Sequence, residues 1–170
     1  MNRFALAAAV IALLPSAAAA QQRGGALCKD GAPPFEATAG NRLSGPALQQ
    51  ALTGKRLGYV RESLRTAGVW VNNSRDLQGD GSFAYSCGFS RNPSGPWQPC
   101  TSFGSTTRQA AGARDVGVWS IKNNALCMTG AAFGESSEAC FAIHRQGAAV
   151  AAKRVSGPPS VCIEGTITLQ

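Results

Sequence analysis

All six cysteines of the chain (Cys28, Cys87, Cys100, Cys127, Cys140 and Cys162) fall behind an export-type leader. No other feature limits the fold as much. Arg3 supplies a positive start and Phe4 to Leu14 is an unbroken apolar run. Pro15-Ser16 breaks the run, and Ala18-Ala19-Ala20 gives a small-x-small cleavage pattern before Gln21. Residues 1–20 therefore read as a signal peptide. The apolar run has 11 residues, where a membrane span takes roughly 20. No later window approaches that length, so no transmembrane segment is expected in the mature chain. No cysteine follows the cleavage site to carry a lipid. The expected location is periplasmic or extracellular, where six cysteines form three disulfides.

Cleavage after Ala20 leaves 150 residues and a net charge of +6, down from +7. That length suits one domain with its own core. Residues 21–42 form a Gly/Ala/Pro-rich arm, and residues 43–170 a single β domain with a long loop at about 90–112. Arginine exceeds lysine twelve to four, but the arginines are scattered and never form a run. That pattern is a solvated basic surface rather than a nucleic-acid footprint.

Local patterning begins with a helix. Ser44 is placed to cap it, Pro46 suits its first turn, and Leu43 can staple onto Leu48. Ala47, Leu48, Ala51 and Leu52 make one apolar stripe and Gly54 is the natural stop, so the helix spans about ten residues. From Lys55 onward the period changes to two. Leu57 and Tyr59 open a strand, and Val69 and Val71 flank Trp70. Phe83, Tyr85, Cys87 and Phe89 share one strand face after a Gly79-Asp80-Gly81 turn. Trp119 and Ile121 precede an Asn123-Asn124 turn, then Leu126 and Met128, then Phe141 and Ile143. In the last segment Val161, Ile163, Ile167 and Leu169 alternate with Cys162, Glu164, Thr166 and Thr168. One dry face per strand indicates an antiparallel sheet. The predicted fold is mainly β: an antiparallel meander curled into a small barrel or sandwich, with one short N-terminal helix and three disulfides.

Strand parity narrows the 15 possible pairings of six cysteines. Cys127 and Cys140 share the polar face of adjacent strands. Cys162 also points outward, where the arm carrying Cys28 can reach it. Cys87 then joins Cys100, closing the start of the long loop. No C-x-x-C pair is present, and His144 is the single histidine, so neither a redox motif nor a metal-ligand cluster is expected. His144 sits in a strand alternation and is expected to face solvent or a polar seam. No G-x-S-x-G elbow, carboxylate pair or Gly-rich phosphate loop is found. No cofactor and no catalytic residue is assigned.

The residues best suited to contact a ligand or partner lie in the long loop: Trp97, set among prolines and glycines, with Phe103 and Arg108. Trp119, within a strand, is expected in the core. The favoured reading is a secreted or periplasmic non-enzymatic binding module, monomeric, for a small ligand or a protein. The alternative is an inhibitor of a secreted hydrolase of protease or lysozyme type, which a rigid disulfide-held loop suits. A small hydrolase using His144 ranks third.

Several short motifs recur together: Leu52-Thr53-Gly54-Lys55 after the helix, Asp80-Gly81 before Tyr85, Gly117-Val118-Trp119, Leu126-Cys127, Cys140-Phe141 and Arg145-Gln146-Gly147. In this the chain resembles a family of small exported domains of unknown function, common in Gram-negative alphaproteobacteria. The pattern covers about residues 44–155 and is most specific between Trp119 and Gly147. The resemblance implies a compact lipocalin-like or avidin-like barrel and supplies no activity. Two departures stand out. Ala148-Ala149-Val150 replaces an aromatic strand, and the Cys87 to Cys100 segment is an addition.

Overall fold

The computed structural model describes residues 29, 31–64, 66–100, 115–130, 137–158 and 163–170. A 3-10 turn, Ala39–Asn41, leads to helix α1, Gly45–Leu52. Nine strands follow: β1 Arg56–Glu62, β2 Trp70–Leu77, β3 Ser82–Ser90, β4 Gln98–Pro99, β5 Asp115–Lys122, β6 Ala125–Gly130, β7 Glu138–Gln146, β8 Ala149–Ser156 and β9 Gly165–Leu169. Every ladder is antiparallel. β1, β2, β3, β5, β6, β7, β8 and β9 pair in ring order and β9 returns to β1, closing an eight-stranded barrel, with β4 laid on the margin of β3. Closure removes the free strand edges that an open meander leaves. Among the described residues no helix is long and apolar enough to cross a membrane.

Period-two patterning aims the bulky residues inward. Leu57, Leu77, Phe83, Leu126, Met128, Phe141, Ile143 and Ile163 are almost fully buried in one core cluster. The filling depends on two glycines. A Cβ on Gly117 would fall inside the Phe83 ring, and one on Gly130 would press on the same ring and on Gly117. Phe83 thus lies across the bare backbone of β5 and β6 and fills the lumen there. Trp119 is buried as expected and donates its indole N–H to the Gln78 carbonyl at 2.9 Å.

α1 caps one end with Leu48 and Leu52. It has eight residues, and Gly54 ends it in the left-handed region at φ 71°. Ser44 occupies the N-cap position, but its side chain makes no capping bond. The cap comes instead from the Asn123-Asn124 turn, whose φ values of 50° and 56° make a type I′ hairpin. Asn124 Oδ1 accepts the Gly45 N–H at 3.0 Å, and Arg42 donates to the Asn123 and Asn124 carbonyls at 3.2 and 2.9 Å.

Two of the three expected disulfides lie within the described residues. Cys127 and Cys140 face each other across β6 and β7 with Cα atoms 4.0 Å apart, and Cys87 joins Cys100 at 5.5 Å. The Cys28–Cys162 pairing lies outside the described residues. The Cys127 face is not wet as expected: both sulfurs are buried with Ala125 in a small outer cluster. The last strand also begins later than its alternation suggests. Gly165 has φ 102° and packs directly on the Gly31 backbone, so regular pairing starts only there.

A candidate ligand cleft at the helix-capped end

β8 and β9 pair over only three residue pairs, Val150↔Ile167, Ala151↔Thr166 and Ala152↔Gly165. Beyond them β9 turns to β1 through Gly58↔Thr168 and Leu57↔Leu169, while β8 begins at the Gly147-Ala148 turn. The wall therefore parts at the end that α1 covers. A hollow of about 590 Å³ lies there, between Arg145–Val150 and Thr166–Gln170. A second, of about 430 Å³, lies between α1 and the rim and is lined by Leu43, Ala47, Gln50, Ala51, Lys55, Arg145 and Leu169. Arg145 and Leu169 border both, so the two hollows adjoin, each of a size that suits small molecules, and together they are the candidate cleft.

Each lining side chain has a local cause. Arg145 ends β7 on the interior-facing parity of Phe141 and Ile143, so its guanidinium reaches the rim rather than the outer wall. Lys55 follows the helix stop, where its backbone N–H bonds the Leu52 carbonyl at 3.0 Å. Ala47 and Gln50 are on the exposed side of α1, while Ala51 turns inward. Gly147, Ala148 and Ala149 give the first hollow a wall of small residues. Both charged side chains of the cleft are cations, and no carboxylate side chain lines it.

Of the expected contact residues, only Trp97 lies within the described residues. Trp97 is half-buried on the outer face of β3, against Gly88 and Gly95, toward the opposite end of the barrel. Phe103 and Arg108 lie outside the described residues. The structure thus does not bring Trp97 to the cleft, and sequence reasoning missed Arg145, Lys55 and Leu169 as a group. Lys55 follows the helix stop at Gly54 and Arg145 precedes the turn at Gly147, and no local pattern ties the two together.

A polar layer lies inside the barrel. Arg75 is 2% exposed, lies over the rings of Tyr59, Phe83 and Tyr85, and donates to the Tyr59 hydroxyl at 3.1 Å. Tyr85 donates to Asn73. Arg61 donates to the carbonyls of Ile163, Glu164 and Thr166 at 3.2, 2.7 and 2.8 Å. Arg154 pairs with Glu164 at 3.0 Å. These groups are committed to one another and to the backbone. Cys127, Glu138 and Cys140 bring three donor atoms together, but the two sulfurs are joined and present no thiolate to a metal.

His144 is on the outer face of β7 yet only 4% exposed, so it faces a polar seam and not solvent. The arm covers it: the Leu43 N–H bonds the Ile143 carbonyl at 2.8 Å, and His144 Nδ1 lies 2.9 Å from Asn41 Oδ1. Asn41 Nδ2 donates to the Glu36 carbonyl while Oδ1 accepts the Thr38 N–H, so Nδ1 of His144 carries the proton. Burial, with Arg42 and Lys153 nearby, pushes the imidazole below its ordinary pKa. Ala142 and Ala151, also outward, are buried beside it.

No family model, curated protein or solved structure matches the chain.

Proposed function

We propose that the chain is a non-enzymatic binding module of an oxidising compartment, periplasmic or extracellular, that holds a small ligand in the helix-end cleft. The observation supporting this is the parting of β8 from β9 at the helix-capped end, beside a hollow with apolar and cationic lining. Its polar side chains are a guanidinium, an ammonium, two amides and two hydroxyls, a set suited to holding a ligand. The bulky core side chains argue against a lumen ligand of the kind larger barrels carry. The test is native mass spectrometry of gently purified protein, before and after denaturation without reductant. A carried mass that Ala47→Trp abolishes supports the reading. A carried mass that the variant retains, or a chain that stays bare while small-molecule libraries leave the cleft amides unperturbed, refutes it.

One observation favours the second reading, an inhibitor of a secreted hydrolase. Residues 91–94 are exposed yet held by Asn92 N–H to Ser90 Oγ at 3.0 Å, Ser94 N–H to Asn92 Oδ1 at 2.9 Å and the Cys87–Cys100 tether. Such a pre-ordered projection loses little entropy on docking. Inhibition of a purified protease or lysozyme, lost on replacing residues 91–94 with Gly-Ser, would establish it.

A further inference from the structure

We infer that the cleft takes an amphipathic anion: an aliphatic chain ending in a single anionic headgroup. This rests on the reading of the cleft as the ligand site and names the chemistry of its ligand. The cleft floor is Leu43, Ala51 and Leu169, with Ala47 at its edge. No aromatic ring lines either hollow. Sugars and nucleobases are held chiefly by stacking on rings and by convergent hydrogen bonds, and this floor offers neither. Branched and methyl side chains instead offer dispersion contact to a flexible hydrocarbon.

The charges select the headgroup. Arg145 and Lys55 come from different elements, the end of β7 and the residue after the helix stop, and both border the hollow under α1. Neither makes an ion pair with a carboxylate among the described residues, whereas Lys29, Arg56, Lys122 and Arg154 each do. Two cations beside an apolar floor attract an anion and repel a cationic amphiphile of the same length. They also do not match a polyphosphate, which needs a cradle of backbone N–H groups in addition. Arg145 borders both hollows, so it marks the junction where the headgroup sits. The chain then lies along α1 or into the β8–β9 gap. The headgroup chemistry is shared by a free fatty carboxylate and by an anionic lipid in a bilayer.

The test titrates the oxidised protein with monomeric decanoate, decanol and decyltrimethylammonium by calorimetry, with amide shifts mapped by NMR. Decanoate is expected to bind at one equivalent and to shift Ala47, Lys55, Arg145 and Leu169. Arg145→Gln and Lys55→Gln each weaken it by about threefold and together by about tenfold, the range of partly exposed charge pairs. Both residues are exposed, so the variants should keep the native spectrum. If decanol or decyltrimethylammonium binds as tightly, or the double variant leaves decanoate unchanged, the ligand class is wrong. The cleft reading survives that result if Ala47→Trp still blocks the probe, and fails with it if Ala47→Trp changes nothing or no probe shifts the cleft. Flotation with phosphatidylglycerol vesicles, against phosphatidylcholine vesicles, separates the sources. Retention on the anionic vesicles that the double variant loses assigns a membrane lipid. Decanoate binding without retention assigns a free acid.

Discussion

Arg61 supplies the bonds that the β1–β9 ladder lacks. Those strands share two register pairs, and Ile163-Glu164 just before β9 is irregular. The guanidinium of Arg61 spans this gap, satisfies the carbonyls of Ile163, Glu164 and Thr166, and packs against Gly31. Arg61→Leu should therefore cost about 3 kcal/mol or more, because it strands several carbonyls at once. Arg61→Lys should recover little of this, since an ammonium cannot reproduce the planar fork; urea melts of both variants check the order, and an equal recovery by lysine would refute it. His144 carries a second residue-level consequence. Burial first, with Arg42 and Lys153 adding to it and a hydrogen bond with the Thr38 backbone opposing it, holds its pKa below the ordinary value. The unfolded chain then binds the extra proton, so stability is complete above about pH 6.5, the unfolded value, and declines as pH falls toward the lowered folded value. As His144 is the only histidine, the melting temperature should drop between pH 7.5 and 5.5 in the wild type. It should stay nearly flat in His144→Gln, whose amide can still donate to Asn41. An equal slope in both proteins would locate the proton uptake elsewhere.

At the scale of elements, the type and order of most strands were legible because one-sided burial imposes period two. What escaped was set by contacts between distant segments. Ser44 carries every local mark of an N-cap, yet the hairpin turn of β5 and β6 presents Asn124 to the same helix start and takes that role. Ser44→Ala should accordingly be near neutral, whereas Asn124→Gly, which keeps the left-handed turn and deletes the bond, should cost about 1 kcal/mol. Chemical denaturation of the two variants decides between them, and a larger loss for Ser44→Ala would restore the local reading. The interior arginines escaped for a related reason. Alternation marks which residues share a face, but Arg61, Asn73 and Arg75 share theirs with Leu57 and Tyr59, and only the closed ring makes that face an interior. The cleft was less legible still. Lys55 and Arg145 stand 90 positions apart, and nothing local states that a short β8–β9 ladder brings them to one opening.

Across the whole molecule, the two ends are built on different principles. At the helix-capped end the connections are tight turns, such as Asn123-Asn124 and Gly147-Ala148, and α1 supplies the lid. At the other end the connections are longer, and both described disulfides enclose one of them: Cys87–Cys100 spans the β3–β4 segment and Cys127–Cys140 the β6–β7 connection. Each closes a loop of 13 residues in separation, for which the chain-entropy account gives about 3 kcal/mol. Cys127 and Cys140 already sit opposite each other in a regular ladder, so removing the bond leaves the folded pairing intact and frees only the unfolded chain. The double variant Cys127→Ala, Cys140→Ala should therefore fold to the same barrel, lose about 3 kcal/mol in urea, and keep the decanoate affinity proposed for the distant cleft at temperatures well below its melting point. An unchanged stability would refute the entropic role. A lost affinity in a fully folded variant would show that the two ends are coupled, and would move the organising principle of the barrel from independent ends to a single strained ring.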